Sequence, residues 1–600
     1  MQTINKLFSL LTRDEQKRLM LLFFVVLLMG LVELLGLTSI LPFVAMLSDP
    51  SIVENNSLLN WAFQTSSIFG IENKKQFLFF SGVLTFILLV FSLVVKSVTT
   101  YLQINFTAST KYNIEKRIIT GYLNQSYSWF LDRHSADLGK NILSEVNTVV
   151  NGGIRPMIDL IARSVVAILV VILLIAVDPK LALIVGLILS STYLIIYLLI
   201  RGYLNFIGEE RLKANRWRFT MVTEAFGAIK EIKIGGMEQA YINRYAAPAK
   251  RLTKYEAIFS VLTQLPRFAI EAVSFGGLIL IVLYLMAKSN NFLNIIPIIA
   301  LYALAGYRLI PLLQGIFISI NALRYVSPPL NSLNKELQQL QTSSLSEDKK
   351  VLQLKKEIKL NQINFKYSNV PQQTLKNINI KIPIGSYTGI VGATGSGKTT
   401  LIDIILGLLE PQDGKLEVDD KIINDNNRRA WQRSIGYVPQ QIFLTDDTIA
   451  ANIAFGLNLK DIDQNKVEKA AKISSLHEFI INDLPLKYQT IVGERGVKLS
   501  GGQRQRIGIA RALYHDPQVL LMDEATNALD NITEQTVMDT VFKLKRERTI
   551  ILITHRLSSV KNCDNIILVE KGEIKQQGTF EKLSQANDYF KMINGNTKNK

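Results

Sequence analysis

Six apolar runs in the first half of the chain constrain its fold more than any other feature. A hydrocarbon core about 30 Å thick is crossed by about 20 residues of helix, and each run reaches that length. The predicted spans are about 19–47, 76–105, 157–177, 181–202, 258–287 and 292–320. The sequence therefore predicts an α-helical six-span transmembrane domain over residues 1–326.

The chain is basic, with 67 Lys and Arg against 50 Asp and Glu. A basic balance occurs in nucleic-acid-binding proteins, but Lys and Arg also gather on the cytoplasmic side of membrane proteins. Because the apolar runs indicate a membrane protein, we expect no nucleic-acid partner. The basic N-terminal segment and two long basic connections, after the second and fourth spans, place both ends of the chain in the cytoplasm. We expect an integral protein of a bacterial-type inner (plasma) membrane.

A polar connector over residues 327–350 leads to a C-terminal half, residues 351–600, whose composition is that of a soluble α/β domain. There GATGSGKT follows the strand-like run YTGIV and precedes the helical run TLIDIILGLL, which is the context of a phosphate-binding P-loop. Lys398 is expected to reach the β- and γ-phosphates of ATP and to serve in catalysis, and Thr399 to bind Mg²⁺. The predicted ATP-binding residues of this segment are Gly392, Ala393, Thr394, Gly395, Ser396, Gly397, Lys398, Thr399 and Thr400.

Two further motifs carry chemistry. VLLMDE, residues 519–524, has the pattern of a buried strand that ends in two carboxylates. We expect Asp523 to hold Mg²⁺ and Glu524 to polarise the attacking water; the alternative is that both acids cap the next helix. LSGGQ, residues 499–503, places small residues before a helix with a basic face, where a second anion site is expected.

The order of P-loop, LSGGQ and VLLMDE resembles the nucleotide-binding domain of ATP-binding cassette (ABC) proteins. The resemblance implies that Tyr367 in FKY stacks on adenine and that Gln440 in YVPQ binds Mg²⁺ and takes part in catalysis. It also implies that His555 in THR is catalytic and contacts the γ-phosphate, and that Asp530 in NALD belongs to the loop that links two ATP sites. The signature residues that would contact ATP are Ser500, Gly501, Gly502 and Gln503.

In this family, ATP lies between the P-loop of one nucleotide-binding domain and the LSGGQ segment of another. One chain supplies only one of each, and six spans are half of the usual twelve, so the resemblance implies a homodimer, with a heterodimer left open. The membrane half resembles type IV ABC exporters, in which it is fused to the ATPase. By analogy, the turns near 127–139 and 224–236 would be the elements that couple the ATPase to the spans.

Charged residues inside the predicted spans indicate the chemical class of the substrate. Arg267 lies four residues before Glu271, so the two can neutralise each other on one helix face. Lys96 and Arg308 have no acidic residue at such a spacing, and Glu33 can pair with only one of them. A charge in hydrocarbon needs a partner or a polar cavity. We therefore predict that Lys96, Arg267 and Arg308 contact an anionic substrate; ion pairing across helices is the alternative.

Three segments, LGLTSILPFVAMLSDP, LPRFAIEAVSFGG and ALAGYRLIP, resemble the PglK-type lipid-linked oligosaccharide flippases. This resemblance implies ATP-driven movement of a polyprenyl-pyrophosphate glycan from the inner to the outer leaflet by alternating access. The alternatives are export of another lipid, a glycolipid, a peptide or a drug. A non-transporting ABC ATPase that acts in repair or translation is disfavoured by the six spans.

Overall fold

The structure is a computed structural model that describes residues 2–48, 51–66, 68, 70–71, 73–177, 179–288, 296–340, 350–368, 370–527, 529–544, 547–586 and 590. The chain divides into two compact units. The helical unit comprises Met1–Gln125 and Trp129–Ser344, and the α/β unit comprises Leu345–Lys600 together with the short segment Ser126–Ser128.

Within the described residues, fifteen α-helices precede residue 345, and one of them, α7 (Tyr127–Leu131), begins in the segment Ser126–Ser128. They are α1 (Gln2–Leu10), α2 (Arg13–Thr38), α3 (Ile40–Ser48), α4 (Ile52–Asn55), α5 (Ser57–Ser66), α6 (Lys74–Leu123), α7 (Tyr127–Leu131), α8 (Ser135–Lys140), α9 (Val146–Val149), α10 (Arg155–Val177), α11 (Pro179–Gly227), α12 (Ile229–Gly235), α13 (Glu238–Lys288), α14 (Ile296–Tyr325) and α15 (Ser327–Gln339).

Four predicted spans lie wholly within one helix each, in α6, α10, α11 and α13, whereas the first, 19–47, is divided between α2 and α3, and α14 contains residues 296–320 of the sixth. Within the described part of the chain, four helical stretches are long and apolar enough to cross a membrane, and a fifth is gained if α15 and the end of α14, which meet at a 51° bend, form one span. Part of the sixth predicted span, residues 292–295, lies outside the described residues. Helices thus occupy the positions of the predicted spans, but the number of described stretches that are long and apolar enough is four or five, not six.

Several helices extend far beyond the predicted spans. The helix α6 has 50 residues, and at 1.5 Å per residue it is about 75 Å long, more than twice the thickness of the hydrocarbon core. The helices α11 and α13 are of similar length and pack against each other. Hydropathy marks only the part of each helix that lies in lipid, because an exposed helix in water needs no continuous apolar run. The short helices α7 and α12 lie within the two predicted coupling turns.

A buried polar network joins α11 to the segment between α8 and α10. This segment contains two π-helical stretches, Asn141–Glu145 and Val150–Ile154. Arg211 Nη1 donates to Glu145 Oε2 at 2.8 Å, and Asn215 Nδ2 donates to Glu145 Oε1 at 2.7 Å. The Glu145 and Arg211 residues are 2% and 6% exposed. This buried ion pair therefore holds α11 against the segment between α8 and α10.

Glu145→Ala is expected to destabilise the helical unit, because it leaves the Arg211 guanidinium buried without its carboxylate. Breaking a buried ion pair from one side costs about 3–5 kcal/mol. The measurement is the thermal unfolding midpoint of the purified full-length protein in detergent, which should fall by several degrees.

The matched control is Glu210→Ala, which removes an acid only one residue from Arg211. Glu210 pairs with the exposed Lys213 at 2.9 Å, and an exposed pair contributes little. If the two variants lowered the midpoint equally, the buried pair would not be the source of the stability.

Where the structure describes it, the α/β unit contains ten strands and nine α-helices. The strands are β1 (Glu357–Phe365), β2 (Leu375–Pro383), β3 (Tyr387–Val391), β4 (Asp413–Val418), β5 (Lys421–Ile422), β6 (Ile435–Val438), β7 (Val519–Asp523), β8 (Thr549–Ile553), β9 (Asn565–Glu570) and β10 (Glu573–Gly578). The helices are α16 (Lys398–Ile405), α17 (Arg428–Gln432), α18 (Ile449–Ile453), α19 (Gln464–Ile473), α20 (His477–Asp483), α21 (Gly501–Tyr514), α22 (Asn531–Lys543), α23 (Leu557–Val560) and α24 (Phe580–Ala586).

Two sheets organise these elements. A six-stranded sheet has the order β10-β9-β3-β8-β7-β6, in which β9, β3, β8, β7 and β6 run parallel and β10 is antiparallel. Its central strands β3, β7 and β8 are buried along their whole length, as expected for a parallel sheet covered on both faces. A four-stranded antiparallel sheet has the order β2-β1-β4-β5.

Candidate functional site

The predicted ATP-site residues lie at the carboxyl ends of four neighbouring strands. The P-loop follows β3, His555 follows β8, Asp523 ends β7 and Gln440 follows β6. Because these strands are parallel and adjacent in the sheet, their carboxyl ends meet at one edge, where α/β proteins bind ligands. The sheet order thus brings together motifs that are more than 150 residues apart in the sequence.

The P-loop has the backbone shape that its glycines predict. Gly397 has φ +103°, a value that side chains disfavour. A Cβ at Gly392 would lie 2.2 Å from the carbonyl oxygen of Val569, so only glycine fits there. The Ser396 hydroxyl is buried and has no hydrogen-bond partner in the part of the chain that the structure describes. The loop thus leads into the start of α16 and has a hydroxyl donor that no described residue uses. These are features of a phosphate-binding loop.

Lys398 lies inside this loop. Its Nζ donates to the carbonyl oxygens of Gly392 at 2.9 Å and Ala393 at 2.8 Å. Burial lowers the pKa of Lys398, and the nearby carboxylates of Glu524 and Asp523 oppose this effect. A phosphate group would offer the ammonium stronger, charged acceptors than the two carbonyls, so the observed position fits the predicted role.

Asp523 and Thr399 have the chemistry of a magnesium site that is completed by nucleotide. Burial, and secondarily the negative charge of Glu524, raises the pKa of Asp523 to about 6, so a bound cation would favour its ionised form. Thr399 is exposed in the first turn of α16. A carboxylate and a hydroxyl are oxygen ligands of the kind that Mg²⁺ takes together with phosphate oxygens and water. Among the described residues no group of three or more His, Cys, Asp or Glu could hold a metal.

Glu524 is surrounded by three hydrogen-bond donors. Its Oε2 accepts from Gln440 Nε2 at 2.6 Å and from Asn527 Nδ2 at 2.7 Å. Its Oε1 lies 3.1 Å from His555 Nδ1, which donates when the proton is on that nitrogen. Burial alone would raise the pKa of Glu524, but these three hydrogen bonds outweigh it and hold the pKa below its ordinary value. The carboxylate is thus kept ionised and oriented, as a group that polarises water must be.

Neither carboxylate of VLLMDE caps a helix, so the alternative raised from the sequence does not apply to them. The next helix, α22, is capped instead by Asp530, whose side chain accepts from the Thr533 N–H at 3.0 Å. This cap is a structural role for Asp530 beside the linking role that the resemblance implies. Asn527 was missed by sequence reasoning; the available signal was its position three residues after Glu524.

Tyr367, the predicted adenine-stacking residue, lies beside the start of α16. Its hydroxyl is 3.0 Å from Thr400 Oγ1, and its ring packs edge-on against Phe365 with 5.0 Å between centroids. These contacts place an aromatic ring next to the P-loop helix. Stacking on adenine stays a prediction.

The LSGGQ segment forms a complete N-cap of α21. Ser500 Oγ accepts from the Gln503 N–H at 3.2 Å, and Gln503 Oε1 accepts from the Ser500 N–H at 2.8 Å. Among the described residues no hydrogen bond or ion pair joins residues 500–503 to the P-loop. The segment is therefore an ordered helix start within one chain, and its contact with ATP bound to a second chain stays a prediction.

Two of the three predicted substrate contacts are ion-paired. Lys96 Nζ in α6 lies 3.1 Å from Glu33 Oε1 in α2, so the sequence alternative of pairing across helices holds for Lys96. Arg267 Nε lies 2.7 Å from Glu271 Oε1, as its i,i+4 spacing predicts. The side chain of Arg308 lies outside the described residues.

Two protein-family models match the chain: the ABC transporter transmembrane region over residues 18–312 and the ABC transporter over residues 375–527. An ATP-dependent lipid A-core flippase of Cupriavidus pinatubonensis is 30% identical over 478 residues, which cover 76% of this chain and 77% of the relative. A protein of the same description from Syntrophus aciditrophicus is 39% identical over 240 residues, which cover 40% of this chain and 39% of the relative.

A solved structure of a bacterial Atm1-family ABC exporter with ATP bound is similar to this chain, with a TM-score of 0.80 and 20% sequence identity. The similarity covers 98% of this chain and 99% of that one. At this level of identity the similarity concerns the fold alone.

Glu524→Gln is expected to abolish repeated ATP hydrolysis while ATP binding is retained. The amide preserves the shape of the side chain but does not accept a proton from water. Steady-state phosphate release and ATP affinity of the purified protein test this expectation. Turnover at the rate of the unmutated protein would show that another group activates the water.

Lys398→Ala is expected to weaken binding and hydrolysis together. The ammonium is predicted to contact the phosphates in the bound state as well as in the transition state, so its removal should act on both. The affinity for ATP and the rate of phosphate release should therefore both decrease. An unchanged affinity would mean that the P-loop holds the phosphates without Lys398.

Proposed function

This chain belongs to the ABC transporters, as a half-exporter with the transmembrane region and the ATPase in one polypeptide, and from that premise we propose that it flips a lipid-linked, pyrophosphate-bearing glycan from the inner to the outer leaflet. ATP hydrolysis coupled to transport follows from the family. The substrate is the proposed part, and it rests on the charges that the spans carry.

The observation that carries the proposal is the arrangement of Lys96 and Glu33. The Glu33 side chain is 6% exposed, whereas the Lys96 side chain is 46% exposed. The acid thus lies behind the ammonium, and the surface presents the cation. An exposed ammonium in a span faces a polar cavity or a partner rather than lipid tails. A cationic cavity fits a phosphate-bearing headgroup whose lipid tail stays in the bilayer.

Arg267 and Arg308 are the proposed companions of Lys96. The Arg267 side chain is 55% exposed beside Glu271, so its guanidinium has donors that its carboxylate does not use. A guanidinium binds phosphate oxygens through two parallel hydrogen bonds, which a point charge does not. Arg308 is proposed from the sequence alone, because it lies in the sixth predicted span without a local acidic residue.

Hydrolysis is proposed to proceed at the strand ends described above. Glu524 accepts a proton from the attacking water, His555 and Gln440 hold its carboxylate, and Lys398 stabilises charge on the phosphates. Mg²⁺, held by Asp523 and Thr399, would neutralise charge that develops between the phosphates. The ATPase unit is proposed to lie in the cytoplasm of a cell with a bacterial-type inner membrane.

We further propose a homodimer with two equivalent ATP sites. Each chain holds one P-loop and one LSGGQ segment, and the residues of both are present and ordered. The closing contact would place Ser500, Gly501, Gly502 and Gln503 of each protomer on the ATP bound to its partner.

A second candidate is export of a lipid A-like glycolipid. The observation that favours it is the name of the relatives that match most of the chain, ATP-dependent lipid A-core flippases. Both candidate substrates have phosphate next to lipid, so the charges in the spans do not distinguish them.

Proteoliposomes that contain either a fluorescent polyprenyl-pyrophosphate glycan or a fluorescent lipid A separate the two candidates. We expect ATP-dependent flipping of the first and little of the second. Faster flipping of lipid A would replace the proposal with the second candidate, and flipping of neither would reject both.

The double substitution Glu33→Gln/Lys96→Gln tests the role of the cation. It removes both charges at once, so no buried carboxylate is left unpaired. Because a hydrogen bond to a charged group contributes about 1.5–3 kcal/mol, flipping should slow by roughly tenfold or more. The thermal midpoint should be retained.

The matched control is Glu54→Gln/Lys74→Gln. It removes an ion pair of 2.7 Å at the beginning of the same helix, ahead of the predicted span. Unchanged flipping is expected there. Equal losses in both double variants would show that charge inside the span has no special role.

A further inference from the structure

The catalytic carboxylate has one donor that the ABC pattern did not predict. Gln440 and His555 were expected near the phosphates, whereas Asn527 belongs to the loop between β7 and α22. Its amide donates to the same Glu524 oxygen as Gln440, at 2.7 and 2.6 Å. Two amides on one carboxylate oxygen fix its position more closely than either does alone.

The remaining contacts of Asn527 suggest that its side chain serves Glu524. Its Oδ1 is buried and has no hydrogen-bond partner among the described residues. Its backbone N–H donates to the Glu524 carbonyl at 3.2 Å, which closes a tight turn. An Asn kept only as a turn former would use its side-chain oxygen to bond nearby N–H groups. Here the oxygen has no such bond, and the NH₂ group contacts the carboxylate.

Glu524 itself is in a strained backbone conformation. Its φ is +46°, which is disfavoured for a residue with a side chain. Strain of this kind persists only where the surroundings fix it, and it is common at active sites. The side chain therefore depends on its hydrogen-bond partners for a single orientation.

A second group of residues holds Asn527 in turn. Arg556, which follows His555, donates through Nη2 to the Asn527 carbonyl at 3.3 Å, and its Nη1 contacts Glu534 in α22. Glu534 is buried and also accepts from Thr526 Oγ1 at 3.0 Å and Ser559 Oγ at 2.9 Å. It therefore ties the loop after Glu524 to the loop after His555.

We propose that Asn527 is a positioning residue for Glu524, and that the Glu534–Arg556 pair holds Asn527 in place. Gln440 has a second predicted partner, Mg²⁺, which its amide oxygen would ligate, so its amide would serve two groups. Among the described residues the NH₂ group of Asn527 donates to Glu524 Oε2 alone. The inference rests on the proposed role of Glu524 in water activation.

Asn527→Ala, Asn527→Asp and Glu534→Gln test the inference in steady-state ATP hydrolysis by the full-length protein in detergent. A hydrogen bond to a charged group contributes about 1.5–3 kcal/mol, so Asn527→Ala should lower kcat by roughly tenfold or more. KM for ATP should stay unchanged, because the proposed role of Asn527 is to orient Glu524 rather than to hold the nucleotide. Asn527→Asp should be slower still, since it has the same shape but places a second negative charge against Glu524.

Glu534→Gln should lower kcat in the same direction, because it weakens the contact with Arg556. The matched control is Gln535→Ala, an exposed neighbour on α22, which should leave kcat unchanged. A purely structural role for Asn527 would shift the thermal midpoint and KM together, and would make the Asp variant no worse than the Ala variant. That pattern, or a kcat for Asn527→Ala equal to that of the unmutated protein, would overturn the inference.

A single-turnover measurement tests the role of Asn527 separately from the proposed role of Glu524 in water activation. In the Glu524→Gln background, Asn527→Ala should cause no further loss, because residues that act as one unit are not additive. A further loss would overturn the inference even if Glu524→Gln itself behaves as expected. If Glu524→Gln retains turnover, the assignment of Glu524 to water activation is rejected, whatever the effect of Asn527→Ala. Neither outcome depends on which lipid is transported.

Discussion

Removal of charge from water is the constraint on which both units of this protein depend. A charge in a region of low dielectric constant is stable only with an opposite charge or with directed hydrogen bonds. In the helical unit, the buried Glu145 carboxylate is paired with Arg211. In the α/β unit, Lys398 lies close to two carboxylates and uses backbone carbonyls as acceptors. The buried pair in the helical unit neutralises its own charges, whereas at the Lys398 site two carboxylates face one ammonium.

This difference separates structural charges from functional ones. Glu145 accepts hydrogen bonds on both of its oxygens from two residues of α11, Arg211 and Asn215, so a ligand would add little to it. Asp523 is also buried, but the pKa of its carboxyl is raised to about 6. A divalent cation would stabilise its ionised form. The same physical rule therefore yields a rigid joint in one place and, in the other, a site whose negative charge a bound divalent cation would neutralise.

The sequence predicted most of the ATP site because the site is made of local motifs. The P-loop, the end of β7 and the N-cap of α21 are each encoded within a few residues, and the parallel strand order then brings them together. Contacts between distant residues were less predictable. Glu33 and Lys96 are 63 residues apart, and the sequence allowed Glu33 to pair with either Lys96 or Arg308. The predicted spans also did not define the helix lengths, because hydropathy indicates the part of a helix that lies in lipid rather than the residue at which the helix ends.

Asn527 shows why motif patterns alone do not describe a catalytic site. A pattern identifies residues that contact the nucleotide, but the orientation of Glu524 is set by neighbours that need not contact it. Glu534 lies ten residues after Glu524 and Arg556 follows His555, so the two loops that carry the catalytic side chains are joined through one buried acid. A displacement of either loop would then move both Glu524 and His555. Hydrolysis would then depend on the two loops being in place at the same time.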